Sequence, residues 1–218
     1  RSGGAPADAR IVTTNPAAGT QNLRLSWTTA GSGTVAAISP TQGVGTTAYS
    51  IASAKLSIGT PVGTGTEFDF APQDPGAGLI ITRVRFLRPN AGVNKIQILD
   101  PVTSTYVDTG AFWTAGTYFD LKVITNRAAQ TYDVCINGTA IVTAAPAFAR
   151  NTSNIAVIGT KGANTQNNTL DVDDVVIDNS NIGTCNGLPV QRTVTPSVGT
   201  PSGSISPKWN IALLNFSS

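Results

Sequence analysis

The chain has 218 residues, room for one large domain plus a tail, with 12 % charged residues and a net charge of +2. It carries no stripe of Lys and Arg that could neutralise several phosphates, which argues against a nucleic-acid partner. No apolar run approaches the roughly 18 residues of a membrane-spanning helix, and the lack of any His removes Ser-His-Asp and Cys-His chemistry.

The 22 Gly and 13 Pro, among many Thr, Ser and Asn, are a strand-and-turn composition. No window holds a helical period, so the predicted class is all-β. Residues 1–7 (RSGGAPA) read as a flexible arm. Residues 9–13 and 22–26 read as short strands, punctuated by Asn15-Pro16 and Ala18-Gly19. Residues 31–45 read as loop. Residues 48–58 alternate, but parity shifts between Ile51 and Leu56, which predicts a bulge or two short strands. Residues 66–70 form another strand and 71–78 a turn cluster. Residues 79–88 read as one strand, with Ile80, Thr82, Val84 and Phe86 on one face and Ile81, Arg83, Arg85 and Leu87 on the other. Residues 95–99 follow, with Ile96 and Ile98 inward and Lys95 and Gln97 outward.

The centre of the chain is Phe112 to Thr139. Phe119, Leu121 and Val123 alternate with Asp120 and Lys122; after a polar connection at 126–130, Tyr132, Val134 and Ile136 alternate with Asp133 and Cys135. Asn137-Gly138 suits a type I′ turn. Residues 144–154 read as loop and 155–158 as strand. Along 170–178, Leu170 and Val172 have one parity, Val175 and Ile177 the other; a bulge at Asp173-Asp174 would keep all four inward. Residues 187–207 are a Pro-, Ser- and Gly-rich linker. Residues 208–216 (KWNIALLNF) end the chain as an isolated strand with an apolar face.

The set Trp113, Gly116, Tyr118, Leu121, Val123, Tyr132, Val134, Asn137 and Gly138 resembles the concanavalin A-like, or laminin G-like, jelly-roll superfamily, in particular its secreted bacterial members of unassigned function. Residues 8–25 look like the opening strands of such domains and 170–178 like the closing one. The resemblance implies an antiparallel jelly-roll β-sandwich over 8–186, with an N-terminal arm at 1–7 and a C-terminal linker plus strand at 187–218. It implies architecture rather than activity, since the superfamily holds lectins, glycan hydrolases, polysaccharide lyases and structural modules.

Glycoside hydrolases of that superfamily carry Glu-x-Asp-x-x-Glu, whereas the one Glu here is Glu67, in Glu67-Phe68-Asp69. Its alginate-lyase-like members use a Tyr and a His, and His is missing. The expectation is therefore no enzyme, with a polysaccharide lyase or glycoside hydrolase as the third reading. Asp171, Asp173 and Asp174 are candidate calcium ligands or a solvated strand end that discourages edge pairing; no other cofactor is expected. Cys135 and Cys185 form a disulfide if the chain is secreted, or pack as thiols. Arg83, Arg85, Lys95 and Gln97 are a candidate polar face for an acidic glycan, with Trp27, Trp113, Tyr106 and Tyr118 as candidate rings. Sequons stand at Asn137, Asn151, Asn167 and Asn215.

The terminal strand leads to the first functional expectation. Trp209, Ile211 and Leu213, supported by Phe216, would add to a sheet edge of a neighbouring copy, and such head-to-tail contacts propagate. The chain then reads as a secreted, non-enzymatic structural subunit of an extracellular fibre, filament or surface layer, self-associating into a homopolymer through exchange of terminal segments. The alternative is an extracellular carbohydrate-binding, lectin-like module, calcium-dependent or not, with a polysaccharide partner.

Overall fold

The computed structural model describes residues 8–27, 34–38, 49–60, 66–74, 79–147, 154–161, 168–178 and 184–185. The described residues form β-strands and no helix. They make two antiparallel sheets, stacked as a jelly-roll sandwich. Sheet A runs in the order β1 (Asp8–Val12), β2 (Asn22–Trp27), β14 (Asn168–Asp178), β4 (Tyr49–Ile58), β10 (Phe119–Asn126), β11 (Thr131–Ile136), β12 (Thr139–Pro146). Sheet B runs β3 (Thr34–Ile38), β13 (Asn154–Lys161), β5 (Thr66–Asp74), β7 (Val84–Asn90), β8 (Val93–Asp100), β9 (Thr105–Phe112), with the short β6 (Leu79–Ile80) paired to β5.

Period-two alternation builds the core. Leu56 and Ile58 of β4, Leu121 and Val123 of β10, and Leu170 and Val172 of β14 face Phe68 and Phe70 of β5, Phe86 of β7 and Ile96 of β8. The rings of Phe86 and Phe119 meet between the sheets with centroids 5.3 Å apart. Each such side chain contributes about 1.5–3 kcal/mol by leaving water. The β11–β12 hairpin turns on Asn137 (φ 49°) and Gly138 (φ 78°), the two positive φ values a type I′ turn requires. The Asn137 side-chain oxygen accepts the Asp120 N–H at 2.8 Å and ties the turn to β10.

In β14 the register against β4 shifts between Asp173 and Val176, with Asp174 at φ 47°. The extra residue restores parity, so Val175 and Ile177 pack against the same core as Leu170 and Val172.

The parity change in residues 48–58 has another cause than the expected bulge or break. β4 is one strand in unbroken register with β10 from Tyr49 to Leu56. Ile51 lies on the outer face of sheet A because that face is also covered. It packs with Ile124 and Cys135 beneath Cys185. The Sγ atoms of Cys135 and Cys185 are bonded, 50 residues apart in sequence, and hold the 184–185 segment on this face. Lys122 is covered there too, its ammonium donating to the carbonyls of Thr184 and Cys185 at 3.4 and 3.5 Å.

Four boundaries differ from the sequence reading. Residues 79–88 divide into β6 and β7, because the Ile81 N–H turns to the Pro72 carbonyl at 2.9 Å. β5 continues through the expected turn cluster to Asp74, and β12 runs to Pro146. β3 arises inside the stretch read as loop, as the strand next to β13.

Candidate functional site

The outer face of sheet B carries the polar residues that alternate with its core. Phe68 and Phe70 point inward, so Asp69 between them points outward, and Arg85 between Val84 and Phe86 does the same. Register then aligns Asp69 of β5 with Arg85 of β7, Arg85 with Gln97 of β8, and Gln97 with Asp108 of β9. A second rung on one side joins Leu87, Lys95 and Phe112. On the other side the Leu99 N–H donates to the Arg83 carbonyl at 2.9 Å, and Leu99 aligns with Tyr106. The three rungs span about 13 Å along the strands.

The four residues expected to share a face, Arg83, Arg85, Lys95 and Gln97, are all on this strip, but they are not equivalent. Arg85 grips Asp69 with both ends of its fork, Nε to Oδ1 at 2.8 Å and Nη2 to Oδ2 at 3.1 Å. The Arg85 guanidinium lies 3.5 Å from the centroid of the Tyr106 ring. Arg83 reaches the same carboxylate with Nη1 at 3.3 Å, and also donates to the Tyr106 hydroxyl at 3.2 Å. Its Nε is buried with no partner. Lys95 pairs with Asp108. Two guanidinium groups therefore share one carboxylate that is only 1 % exposed.

Tyr106 completes the cluster by donating to Asp69 Oδ2 at 3.3 Å. Burial, followed by the Asp69 charge, raises its pKa above the ordinary phenol value. It is therefore a hydrogen-bond donor rather than a base at neutral pH.

Phe112, 64 % exposed, is the aromatic platform of the strip, and the sequence reading passed over it in favour of Trp113. Adjacent residues of a strand face opposite ways, and Phe112 has the same parity as Tyr106 and Asp108 of the strip. Between the Gln97–Asp108 and Lys95–Phe112 pairs, β9 holds two additional residues, with Gly110 at φ 75°, so the irregularity leaves that parity unchanged. Trp113, of the other parity, is turned inward and buried, its backbone N–H donating to the Asn94 carbonyl at 3.3 Å.

Asp171, Asp173 and Asp174 are not gathered around a common point, which corrects the expectation of a cation site. Asp171 is held by Arg24, Nε to Oδ1 at 2.6 Å and Nη2 to Oδ2 at 2.8 Å, and by Asn15 at 3.0 Å. Asp173 Oδ2 accepts the N–H groups of Ala17 and Ala18 at 2.8 and 3.0 Å, and its Oδ1 accepts from Asp174. Among the described residues no three carboxylate, His or Cys side chains converge as a metal ion requires. The acids instead pin the 15–18 loop, whose Asn15 carbonyl accepts the Tyr118 hydroxyl at 2.6 Å.

Asn137 is exposed at its turn. Asn151, Asn167 and Asn215, the arm 1–7, the segment 187–218 and its strand residues Trp209, Ile211, Leu213 and Phe216 lie outside the described residues, as does the side chain of Trp27.

No protein-family model matches the chain, and no curated protein matches it in sequence. Among solved structures it is similar to a sialidase, with a TM-score of 0.57 and 11 % identity, over 81 % of this chain. This chain spans only 16 % of the length of that sialidase. It is also similar to the cellulose induced protein Cip1 (TM-score 0.46, 14 % identity, 81 % of this chain and 87 % of that one). A third is the carbohydrate binding module CBM66 from Bacillus subtilis (TM-score 0.49, 8 % identity, 79 % and 92 %). The likeness is one of fold, a jelly-roll sandwich of two antiparallel sheets.

Proposed function

We propose that the chain is a carbohydrate-binding module that holds an acidic polysaccharide on the outer face of sheet B. The observation that carries this reading is the Arg83 guanidinium on the outer face of sheet B, which meets Asp69 through one nitrogen only and is the arginine offered to a ligand carboxylate. Gln97 supplies amide hydrogen bonding on the neighbouring rung, and Phe112 gives an apolar plane for a sugar ring at the far end. The module binds and does not cut: Tyr106 keeps its proton, and the chain has no His to act with it. A disulfide belongs to an oxidising compartment, so we place this work outside the cell.

The test is titration of the chain with polygalacturonate, alginate and a neutral glucan, followed by calorimetry, with and without calcium. The expected result is salt-sensitive binding of the uronates over the neutral polymer. Arg83→Gln lowers that affinity about tenfold, the scale of one charged hydrogen bond, with the thermal midpoint nearly unchanged. Binding of none of these polymers, or full affinity in Arg83→Gln, overturns the reading.

A further inference from the structure

The strip on sheet B holds two acids, and its surroundings keep them very differently. Asp69 is 1 % exposed and clasped by two guanidinium groups, so it belongs to the framework. Asp108 stands at the other end of the same rung, beyond Arg85 and Gln97. Its side chain is 38 % exposed, and that of its partner Lys95 is 35 % exposed. An ion pair this open to water is screened and contributes little, so it exchanges readily for an equivalent pair.

The two members of the pair are not equally mobile. Asp108 is tied to its own strand, since Oδ1 accepts the Gly110 N–H at 3.0 Å within the irregular stretch of β9. Beside it, the Thr109 hydroxyl donates to the Ile96 carbonyl at 2.7 Å and accepts the Ala111 N–H at 3.1 Å. Lys95 meets Asp108 Oδ2 at the tip of a flexible four-carbon stem. Its ammonium can swing away without disturbing either strand. Where it can swing is set by register, because Lys95 is the partner of Phe112, the exposed ring on which a sugar would lie. Arg83 stands at the opposite end of the strip, about 13 Å away along the strands. A single sugar does not span that distance, so the two cations meet acid groups on different sugars of one chain.

We propose that Asp108 is a built-in stand-in for a ligand carboxylate: it holds Lys95 while the strip is empty, and Lys95 leaves it for the acid group of the sugar on Phe112. This rests on the carbohydrate-binding reading and narrows the ligand to a polymer with acid groups on repeated sugars, of which Arg83 takes one and Lys95 another. It also makes Asp108 a specificity residue. A neutral sugar offers Lys95 nothing in exchange, so the internal pair stays closed. Lys95 first, and Gly110 second, hold Asp108 below the usual carboxylate range, so it competes wherever a uronate is ionised.

The experiment is calorimetric titration of the full chain and of Asp108→Asn, Lys95→Gln and the double variant, with polygalacturonate, alginate and a neutral glucan. Asn keeps an oxygen for the Gly110 N–H and removes only the charge. The expected result is that Asp108→Asn binds the uronates about threefold more tightly and Lys95→Gln about threefold more weakly, the scale of one exposed ion pair. The gain from Asp108→Asn is smaller when residue 95 is already Gln, because there is no ammonium to release. Unchanged or weaker uronate binding in Asp108→Asn overturns the proposal. So does an equal gain in both backgrounds, which would be plain repulsion of the ligand by Asp108, or an equal gain for the neutral glucan. Should Asp108→Asn melt far below the native chain, the ¹³C resonance of the Asp108 carboxylate is followed in the native chain instead. It must move as polygalacturonate is added, and a resonance that stays put while the polymer binds overturns the exchange. A native chain that binds no uronate sinks the carbohydrate-binding reading and this inference with it. Uronate binding that needs Arg83 but ignores Asp108 keeps that reading and removes this inference alone.

Discussion

Arg83 and Arg85 sit two residues apart on one face, and their surroundings divide their work. The fork of Arg85 and the ring of Tyr106 enclose Asp69, whereas Arg83 holds the same carboxylate by one nitrogen. A second residue whose surroundings set its chemistry is Tyr132. Its hydroxyl donates to the Leu99 carbonyl at 3.2 Å, and burial pushes its pKa from 10.0 up to about 12. Between those two values the folded chain keeps a proton that the unfolded chain gives up. Its contribution to stability is thus intact below the unfolded pKa and falls as pH rises through the window. The slope from one such group is on the order of 1 kcal/mol per pH unit. Urea midpoints taken across alkaline pH will fall less steeply in Tyr132→Phe than in the native chain. Equal slopes would show that Tyr132 titrates normally in the fold.

At the scale of the element, the bulge in β14 takes up one residue more than β4 offers. Removing Asp174 leaves Val175 opposite Ala54, while Val176 and Ile177 keep Ser53 and Ala52, so Leu170, Val172, Val175 and Ile177 alternate inward without a bulge. Asp174 itself is exposed and sits at φ 47°, where Gly is at ease. The expected outcome is that the deletion keeps a cooperative thermal transition, and that Asp174→Gly melts within a few degrees of the native protein. A deletion without a cooperative transition would mean that the bulge itself is needed for the strand to close. This bulge was legible in the sequence because four apolar residues change parity around two acids. The change between Ile51 and Leu56 looks the same in sequence and means something else, since Ile51 serves a second buried patch that only the position of Cys185 reveals. β3 was missed for want of pattern: TVAAI is short and has few large side chains. The candidate strip was half legible. Alternation alone places Arg83, Arg85, Lys95 and Gln97 outward, but the partner of Arg85 is on a strand 16 residues away, and Phe112 is brought opposite Lys95 only by two added residues in β9.

Taken whole, the sandwich has two unlike outer faces. That of sheet A is covered in part by a stapled segment over Ile51, Ile124 and Lys122, while that of sheet B bears the charged strip. Burial lowers the Lys122 pKa, so this ammonium is a weak point under the staple. By the loop-entropy argument, a bridge closing 50 residues stabilises the fold by about 4 kcal/mol. Cys185→Ser should therefore unfold at clearly lower urea than the native chain, while its uronate affinity at low temperature stays the same, because the strip is on the other sheet. A loss of binding in the folded variant would mean that the two faces communicate.

The strand order has a consequence for how the molecule is made. β14 lies between β2 and β4, and β13 lies next to β3 and β5, so each late strand joins partners made long before it. As the chain leaves the ribosome, β1, β2 and β3 wait through more than a hundred residues for the pieces that tie them to the rest. Sheet B is not continuous until β13 (to Lys161) has appeared and sheet A not until β14 (to Asp178), so completion of the fold waits for nearly all the described strands. A polypeptide with this timetable stays incompletely folded long enough to suit threading through a translocation pore, and its staple has nothing to hold until the late strands arrive.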